Sequence, residues 1–190
     1  MSTSATSAIA FGLGSNVGDS QALLSWALEQ LRSQYGPLKV APLYRTAPIS
    51  SIPQPDFLNT VALAELPTDA DPRAILARAK RLEHLAGRRK SERNGPRPLD
   101  IDLLLFGDQV LTGDQVSTGE QVPTTGPAAA EGDTALDLTL PHPRMRQRRF
   151  VLAPLNDLAP ELRVPPDGAR VSDLLAALDG EQRVERISWR

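Results

Sequence analysis

Two aspartates separated by one residue stand at the start of the most apolar segment of the chain. Asp100 and Asp102 enclose Ile101 and lead into the run Leu103-Leu104-Leu105-Phe106. Because side chains alternate between the two faces of a strand, both carboxylates point one way and Ile101 points the other. Adjacent like charges repel, and a cation between them would remove that repulsion. Mg²⁺ commonly takes one or two protein carboxylates with substrate phosphates, so this segment predicts either a metal site or an ordinary solvent-facing strand end.

Basic residues are concentrated in two short segments, although the formal net charge of the chain is only −2. The first segment contains Arg88, Arg89, Lys90, Arg93 and Arg97, and the second contains Arg144, Arg146, Arg148 and Arg149. A mildly acidic protein with two local basic clusters is more typical of a binder of a compact polyanion than of long nucleic acid. The alternative is that both clusters are solvated faces without a ligand.

The composition is that of one ordinary globular domain. The chain has 190 residues, of which 41% are hydrophobic and 23% charged, and it has no cysteine. Disulfides, thiol nucleophiles and cysteine metal sites are therefore excluded. The first residues lack the features of a signal peptide, and no run is long enough to span a membrane. We expect a single cytoplasmic, monomeric domain over residues 1–190 with a disordered tail over residues 1–7 and no membrane partner.

The hydrophobic periodicity predicts the elements that must position these side chains. Strands are expected over residues 8–14, 38–45, 56–64 and 99–106. Helices are expected from an N-cap at Asp19 or Ser20 to the stop at Gly36-Pro37, and from Asp71-Pro72 to Gly87. A short helix over residues 146–156, a last helix over 171–178 and a strand over 183–189 complete the prediction.

The order strand, helix, strand, strand, helix, strand predicts an α+β domain with a ferredoxin-like arrangement. In that arrangement an antiparallel sheet is covered by helices on one side, and here additional C-terminal elements follow it.

Two glycine- and proline-rich segments flank the first and third strands. The glycines at 12, 14 and 18 form neither a dinucleotide fingerprint nor a Walker A loop, and we interpret them as allowing a ligand or another loop close to the backbone. Three prolines in residues 46–55 exclude a helix there and predict an exposed loop.

A six-residue unit occurs three times after the aspartate strand. Its copies begin at Gly107, Gly113 and Gly119. Three short polar turns bury too little apolar surface to form a solenoid, so we predict a surface loop insert over residues 110–137 that carries no chemistry.

Five short motifs occur in one order between about residues 9 and 162, outside the insert. They are Gly12-x-Gly14-Ser15-Asn16, Tyr44-Arg45-Thr46-x-Pro48, Asp56-Phe57-Leu58-Asn59, Gly95-Pro96-Arg97-x-x-Asp100-Ile101-Asp102, and Leu140-Pro141-His142 followed by Arg148-x-Phe150. Together these motifs closely resemble the 6-hydroxymethyl-7,8-dihydropterin pyrophosphokinase family of the folate pathway.

The resemblance implies a reaction and its reactants. The diphosphate of ATP, the co-substrate, is transferred to the hydroxymethyl group of 6-hydroxymethyl-7,8-dihydropterin, and AMP is released. Two Mg²⁺ ions are held by Asp100 and Asp102. Nucleic acid is not an implied partner.

The same resemblance assigns residues to each reactant. It implies catalytic roles for Arg88, Arg97, Asp100 and Asp102, and nucleotide binding by Glu83, Arg88, Lys90, Arg97, His142 and Arg148. For the pterin it implies a sandwich between Phe57 and Phe150, with polar contacts from Thr46, Pro48 and Asn59. The chain departs from the family pattern at Lys90, Asn94 and Pro143, which affects the details of nucleotide contact and loop closure.

Two functions of other classes are weighed beside this one. A ferredoxin-like sheet can bind single-stranded RNA through aromatic side chains, but aromatic residues are only 4% of this chain and the paired aspartates would repel a phosphate backbone. A two-metal phosphohydrolase could use Asp100 and Asp102, but such sites usually need further carboxylates and histidines, and the chain has two histidines.

Overall fold

The computed structural model describes residues 5–50, 52–89, 94–113, 138–178, 180 and 182–189. Its strands are β1 (Thr6–Ser15), β2 (Lys39–Val40), β3 (Leu43–Thr46), β4 (Phe57–Pro67), β5 (Asp100–Phe106), β6 (Arg163–Val164), β7 (Ala169–Arg170) and β8 (Val184–Ile187). Its helices are α1 (Ser20–Tyr35), α2 (Pro72–Leu85), α3 (Arg149–Leu158) and α4 (Val171–Ala176), with a 3₁₀ turn at Met145–Gln147.

The main sheet is antiparallel, with the strand order β5-β1-β4-β3-β8 and β2 paired to β4. The first four strands in this order follow the ferredoxin-like arrangement, which confirms the predicted fold class. β6 and β7, which the sequence did not predict, form a separate two-stranded sheet. β1 is central and β5 lies at an edge, so the aspartate strand has only β1 as a strand neighbour.

Helices α1 and α2 begin at aspartate N-caps, and α1 is followed by a glycine. The Asp19 side chain accepts a hydrogen bond from the backbone N–H of Ala22, and the Asp71 side chain accepts one from Arg73. Each bond satisfies a backbone donor that has no partner within its helix. Gly36 follows α1 with a φ of 80°, a left-handed conformation that glycine adopts without steric cost.

The sheet is covered on both faces. On one face, α1 and α2 pack against Ile9, Phe11, Ile101 and Leu103. On the other, α3 packs against a cluster that includes Ala10, Val61, Leu63, Leu104 and Leu105. The consecutive residues Leu104 and Leu105 both join this cluster, because the register between β1 and β5 shifts between Ala10 and Phe11. The prediction of helices on one side only was therefore wrong, because a second apolar face remained on the sheet and the C-terminal segment supplies the helix that covers it.

Two other predictions near the N-terminal half were wrong. The segment 38–45 forms two strands, since Pro42 has no N–H and the Ala41 carbonyl accepts from the Thr60 hydroxyl and the Trp189 indole. The disordered tail predicted over residues 1–7 is contradicted at Thr6 and Ser7, which pair with Pro67 and Leu66 in the sheet. Residues 1–4 lie outside the described part of the chain.

The elements after β5 also differ from the prediction. The helix expected over residues 146–156 is interrupted at Arg148, which separates the 3₁₀ turn from α3. The last helix and last strand are shorter than predicted.

The predicted insert begins too early. Leu111 forms a two-hydrogen-bond bridge with Leu140 and packs against the core, so it belongs to the domain. Residues 114–137, with most of the repeats, lie outside the described part. Among the residues described, no helix is both long and apolar enough to cross a bilayer.

Candidate active site

Two glycines of the central strand form the floor of a pocket on the α3 side of the sheet. Gly14 pairs with Asn59 of β4 on one side and with Asp100 of β5 on the other. Gly12 pairs in the same way with Val61 and Asp102. Because neither glycine has a side chain, neighbouring side chains come close to the backbone of β1, and a Cβ atom at Gly12 would lie 3.3 Å from Leu104 Cδ2.

At Gly14, the side chain that comes close to the backbone is that of Asn59. A Cβ atom at Gly14 would lie 2.8 Å from Asn59 Oδ1, closer than side-chain atoms tolerate. The Asn59 amide is buried and donates to the Thr46 hydroxyl oxygen at 2.8 Å. Gly14 therefore allows Asn59 to lie flat against β1, and Thr46 holds it there.

Asp100 is held between two arginines. Arg88 Nη1 lies 2.5 Å from Asp100 Oδ1, and Arg97 Nη1 lies 3.0 Å from Asp100 Oδ2. Burial by itself would raise the pKa of Asp100, but the positive charges of Arg97, Arg88 and Lys80 outweigh it and hold the pKa below its ordinary value. The carboxylate is thus kept ionised by cations of the protein itself.

Asp102 has three cationic or basic neighbours at longer range. Lys80 Nζ lies 3.7 Å from Oδ1, while His142 Nε2 and Arg148 Nη1 each lie 3.8 Å from Oδ2. Burial lowers the pKa of His142, and Arg148 and Arg144 lower it further against the opposing effect of Asp102. Burial likewise lowers the pKa of the Arg148 guanidinium, with Arg144 adding to the effect.

Glu83 lies behind the two aspartates, and only 3% of it is exposed. Its Oε1 accepts from the backbone N–H of Ile101 at 2.7 Å and from Lys80 Nζ at 2.7 Å, and its Oε2 lies 2.5 Å from Arg88 Nη1. Burial raises the pKa of Glu83, while the positive charge of Lys80 opposes the rise. The sequence placed Glu83 near a helix end without indicating that it is buried.

The other end of the pocket is aromatic. Phe57 and Phe150 both line it, together with Asn59 and Thr46. The guanidinium carbon of Arg148 lies 5.4 Å from the centre of the Phe150 ring, within cation–π range. A flat heterocycle with a polar edge would find both ring faces and hydrogen-bonding partners here.

The structure brings most of the predicted site residues to this single pocket, which holds about 770 Å³ of space including the part open to solvent. Eight of them line it: Thr46, Phe57, Asn59, Arg97, Asp100, Asp102, Arg148 and Phe150. Arg88 and His142 contact its aspartates, and Glu83 contacts Arg88. Pro48 is not among the lining residues, although its neighbours Ala47 and Ile49 are. Lys90 lies outside the described residues.

Sequence reasoning missed two residues that organise the site. Lys80 bonds Glu83 and the Ile101 carbonyl, and its position three residues before Glu83 on a predicted helix was a usable signal. Asn16 is buried, and its side chain accepts from the Arg97 N–H and donates to Gln54 Oε1 and the Pro55 carbonyl. It therefore ties the turn after β1 to both flanking loops.

Asn94 also lines the pocket, at a position where the family pattern often has an aromatic residue. Its φ is +60°, which asparagine adopts more readily than most residues, and its carbonyl accepts from Gln54 Nε2 at 2.9 Å. The two loops that enclose the pocket therefore touch each other here.

The donor set fits a hard divalent cation that binds together with phosphates. Asp100 and Asp102 lie on one face of β5, and each side chain is about a quarter exposed. Within the described part of the chain, no cluster of three or more His, Cys, Asp or Glu side chains could hold a metal. Two carboxylates leave most of the coordination sphere to phosphate oxygens and water, which is the usual pattern for Mg²⁺.

Comparison with known proteins gives a consistent result. The family profile described as 7,8-dihydro-6-hydroxymethylpterin-pyrophosphokinase (HPPK) matches residues 10–160. A curated 2-amino-4-hydroxy-6-hydroxymethyldihydropteridine pyrophosphokinase of Pseudomonas aeruginosa is 36% identical over 177 residues, 92% of this chain and 93% of that protein. The protein with the same name in Methylorubrum extorquens is 37% identical over 180 residues, 92% of this chain and 96% of that protein.

A solved structure shares the fold. The chain of the wild-type HPPK-DHPS of Plasmodium falciparum superposes with a TM-score of 0.65 at 15% identity and covers 90% of this chain. The present chain spans 41% of that longer chain.

Proposed function

The chain belongs to the 7,8-dihydro-6-hydroxymethylpterin pyrophosphokinase family, and from this we propose that its glycine-floored pocket is where ATP and the pterin react. The protein is an ATP-dependent diphosphotransferase of folate biosynthesis that acts on hydroxymethyldihydropterin. The oxygen of the pterin hydroxymethyl group forms a bond to the β-phosphorus, and the bond between that phosphorus and the bridging oxygen to the α-phosphate breaks. AMP leaves with that oxygen, and the hydroxyl proton is released.

One observation carries the placement of the reaction. Gly12 and Gly14 line the pocket between Asn59 on β4 and Asp100 on β5 and add no side chain to it. Strands lie about 4.8 Å apart, so these two residues are separated by about 10 Å across the floor. A pterin that bonds Asn59 would direct its hydroxymethyl group toward the carboxylates, where the phosphates of ATP bind.

We assign the aspartates to two Mg²⁺ ions. Asp100 and Asp102 would hold the ions through their carboxylate oxygens, and the ions would supply neutralisation of the negative charge that develops during transfer. The Asp100 carboxylate is ionised and held in place before any ion arrives, because Arg88 and Arg97 already contact it. This preorganisation lowers the cost of assembling the charged site.

The basic side chains serve the nucleotide. In this proposal Arg88 and Arg97 stabilise charge on the migrating diphosphate, and Lys90, His142 and Arg148 contact ATP. Phosphoryl chemistry needs positioning and electrostatic stabilisation more than covalent help from the protein. The ion pairs of Arg88, Arg97 and Arg148 with the aspartates support this role, since each guanidinium is already beside the reaction centre.

The aromatic end serves the pterin. Phe57 and Phe150 stack on its two faces, and Asn59, Thr46 and the backbone near Pro48 bond its polar edge. The lining of the pocket by Ala47 and Ile49 supports a contribution from the backbone of this loop. RNA binding and phosphate hydrolysis are not retained as functions, because the family is one of pyrophosphokinases.

Product analysis tests the reaction directly. The protein incubated with MgATP and 6-hydroxymethyl-7,8-dihydropterin should produce one AMP for each pterin diphosphate and no ADP, as measured by ion-exchange chromatography. The variant Asp102→Asn serves as the control for contaminating kinases, since it should form neither product. ADP with a pterin monophosphate would contradict transfer from the β-phosphorus.

We further propose that the protein works as a cytoplasmic monomer without a nucleic-acid or membrane partner. The modest net charge and the two compact basic clusters favour a compact polyanion over a nucleic acid as the partner. Light scattering at micromolar concentration should give a mass near 20.5 kDa. A mass twice as large would contradict the monomer.

A further inference from the structure

The peptide between the two aspartates is held by α2 and not by a strand. β5 is an edge strand, so its outward N–H and C=O groups have no ladder partner. At Ile101 both are satisfied by side chains: the N–H donates to Glu83 Oε1 at 2.7 Å, and the C=O accepts from Lys80 Nζ at 2.9 Å. Lys80 also donates to Glu83 Oε1 at 2.7 Å, which closes the group.

We propose that Lys80 and Glu83 are a positioning pair that replaces the missing strand and fixes the spacing of the Asp100 and Asp102 carboxylates. One donor and one acceptor from α2 hold the C=O and N–H of Ile101, as a neighbouring strand would. The backbone angles around Ile101 set where both carboxylates point. A shift of this peptide would therefore displace both metal-binding groups together.

Glu83 also acts on the site by a second route. Its other oxygen, Oε2, contacts Arg88, and Arg88 contacts Asp100. With both oxygens engaged and 3% of the residue exposed, Glu83 acts on the aspartates through Ile101 and Arg88. Groups behind metal ligands commonly affect metal affinity or activity by about 10- to 100-fold.

This inference rests on the proposed function, because it takes Asp100 and Asp102 to be the metal-binding residues. One of its readouts is independent of metal and substrate. The amide of Ile101 is protected from exchange by Glu83, so its exchange rate reports on the pair in the metal-free protein.

The experiment compares three α2 variants with the wild-type protein. Lys80→Met removes the donor and keeps the aliphatic stem, Lys80→Arg keeps a donor, and Arg81→Met makes a similar change at the exposed neighbouring position. Ile101 amide exchange is followed by NMR, Mn²⁺ affinity by EPR, and kcat and KM by product formation.

For Lys80→Met we expect about tenfold faster Ile101 exchange, about tenfold weaker Mn²⁺ binding and about tenfold lower kcat, with the pterin KM within about twofold. Lys80→Arg should recover each value to within about threefold, and Arg81→Met should match the wild-type protein. If Lys80→Met does not fold, Glu83→Met, which keeps the length of the side chain and removes both acceptor oxygens, is measured in its place with the same expected direction.

Two results would overturn the positioning pair. One is a folded variant whose Ile101 exchange and Mn²⁺ affinity stay within about twofold of wild type. The other is weaker ATP binding with unchanged Ile101 exchange, which would make Lys80 a direct nucleotide contact. Failure of the proposed function is distinguishable, since it would appear as Mn²⁺ binding that the Asp100→Asn variant retains.

Discussion

At the scale of single residues, the site is defined by how each charge is compensated. From the two like charges on one strand face, the sequence predicted either a cation site or an ordinary solvent-facing strand end. The protein itself supplies cations at close range to Asp100, from Arg88 and Arg97, and at longer range to Asp102. The two aspartates therefore share a face of β5, but we expect the charge of Asp100 to contribute more to the stability of the fold than the charge of Asp102.

Replacing each aspartate should separate its role in activity from its role in stability. Asp100→Asn and Asp102→Asn should each lower kcat by about 100-fold or more, since each removes a charge that acts on the transition state. Asp100→Asn should also lower the free energy of unfolding by about 1–3 kcal/mol, because it leaves two partly buried arginines without their partner. Asp102→Asn should change it by less than about 1 kcal/mol, because its ionic contacts are longer. Product formation and urea unfolding measure the two effects, and near wild-type activity in either variant at saturating Mg²⁺ would contradict the metal assignment.

Gly14 offers a residue-scale test of the pterin end. In Gly14→Ala the new Cβ would lie 2.8 Å from Asn59 Oδ1, and the Asn59 side chain could move only by giving up its bond to Thr46. Overpacking of this kind costs about 1–3 kcal/mol, so we expect pterin affinity to fall about tenfold or more in the presence of a non-hydrolysable MgATP analogue. Calorimetry measures this affinity, and Mn²⁺ binding should stay within about twofold. An unchanged pterin affinity would show that Asn59 does not contact the pterin.

At the scale of elements, α3 closes the second face of the sheet and brings Phe150 and Arg148 to the pocket. The helix is anchored to β3 by a hydrogen bond in which the Tyr44 hydroxyl donates to Asp157 Oδ2 at 2.8 Å. Burial and this carboxylate together raise the pKa of Tyr44 to about 12. The contact joins residues 113 positions apart, and no pattern along the chain indicated it.

The raised pKa of Tyr44 predicts how stability depends on alkaline pH. In the unfolded chain this tyrosine loses its proton near pH 10, while the folded protein retains it to about pH 12, so stability falls between these values. The wild-type protein should lose about 2–3 kcal/mol in this window that Tyr44→Phe does not lose. Chemical unfolding of both proteins at intervals from pH 8 to 12 measures the difference. Parallel curves across the window would contradict the proposed environment of the hydroxyl.

At the scale of the whole molecule, the pocket exists because distant loops are tied together. Asn16, in the turn after β1, bonds Arg97 in the basic loop and Pro55 in the proline-rich loop. Gln54 adds a second connection to Asn94. In contrast, the bridge between Leu111 and Leu140 marks where the insert meets the domain.

That boundary decides which deletion of the insert the domain should tolerate. Removing residues 114–137 and joining Gly113 to Leu138 with a short glycine-serine linker should leave kcat within about threefold and the unfolding free energy within about 1 kcal/mol, because the repeats lack a core-forming pattern and loop closure depends weakly on length. Removing residues 110–134 instead deletes Leu111 from the core and should lower the melting temperature clearly. Kinetics and thermal unfolding compare the two deletions. Equal loss of activity in both would show that the repeats serve the enzyme.

The sequence by itself determined the elements that depend on local chemistry. The cap at Asp71, the strand that carries Asp100 and Asp102, and the ferredoxin-like order could all be predicted, since capping and periodicity act over a few residues. The first cap was narrowed to Asp19 or Ser20, and the structure shows Asp19. The motifs identified most of the pocket residues through family resemblance.

Only the tertiary structure decided which residues support the pocket residues. The bonds of Lys80 and Glu83 to Ile101, the two loops joined by Asn16, and the flat packing of Asn59 on Gly14 all join residues far apart in sequence. Such contacts leave no periodic pattern along the chain, because they depend on strand order and register. The helix on the second face of the sheet could not be predicted for the same reason. The alternation of side chains along a strand shows that the sheet has two faces, but only tertiary packing decides which element covers each face.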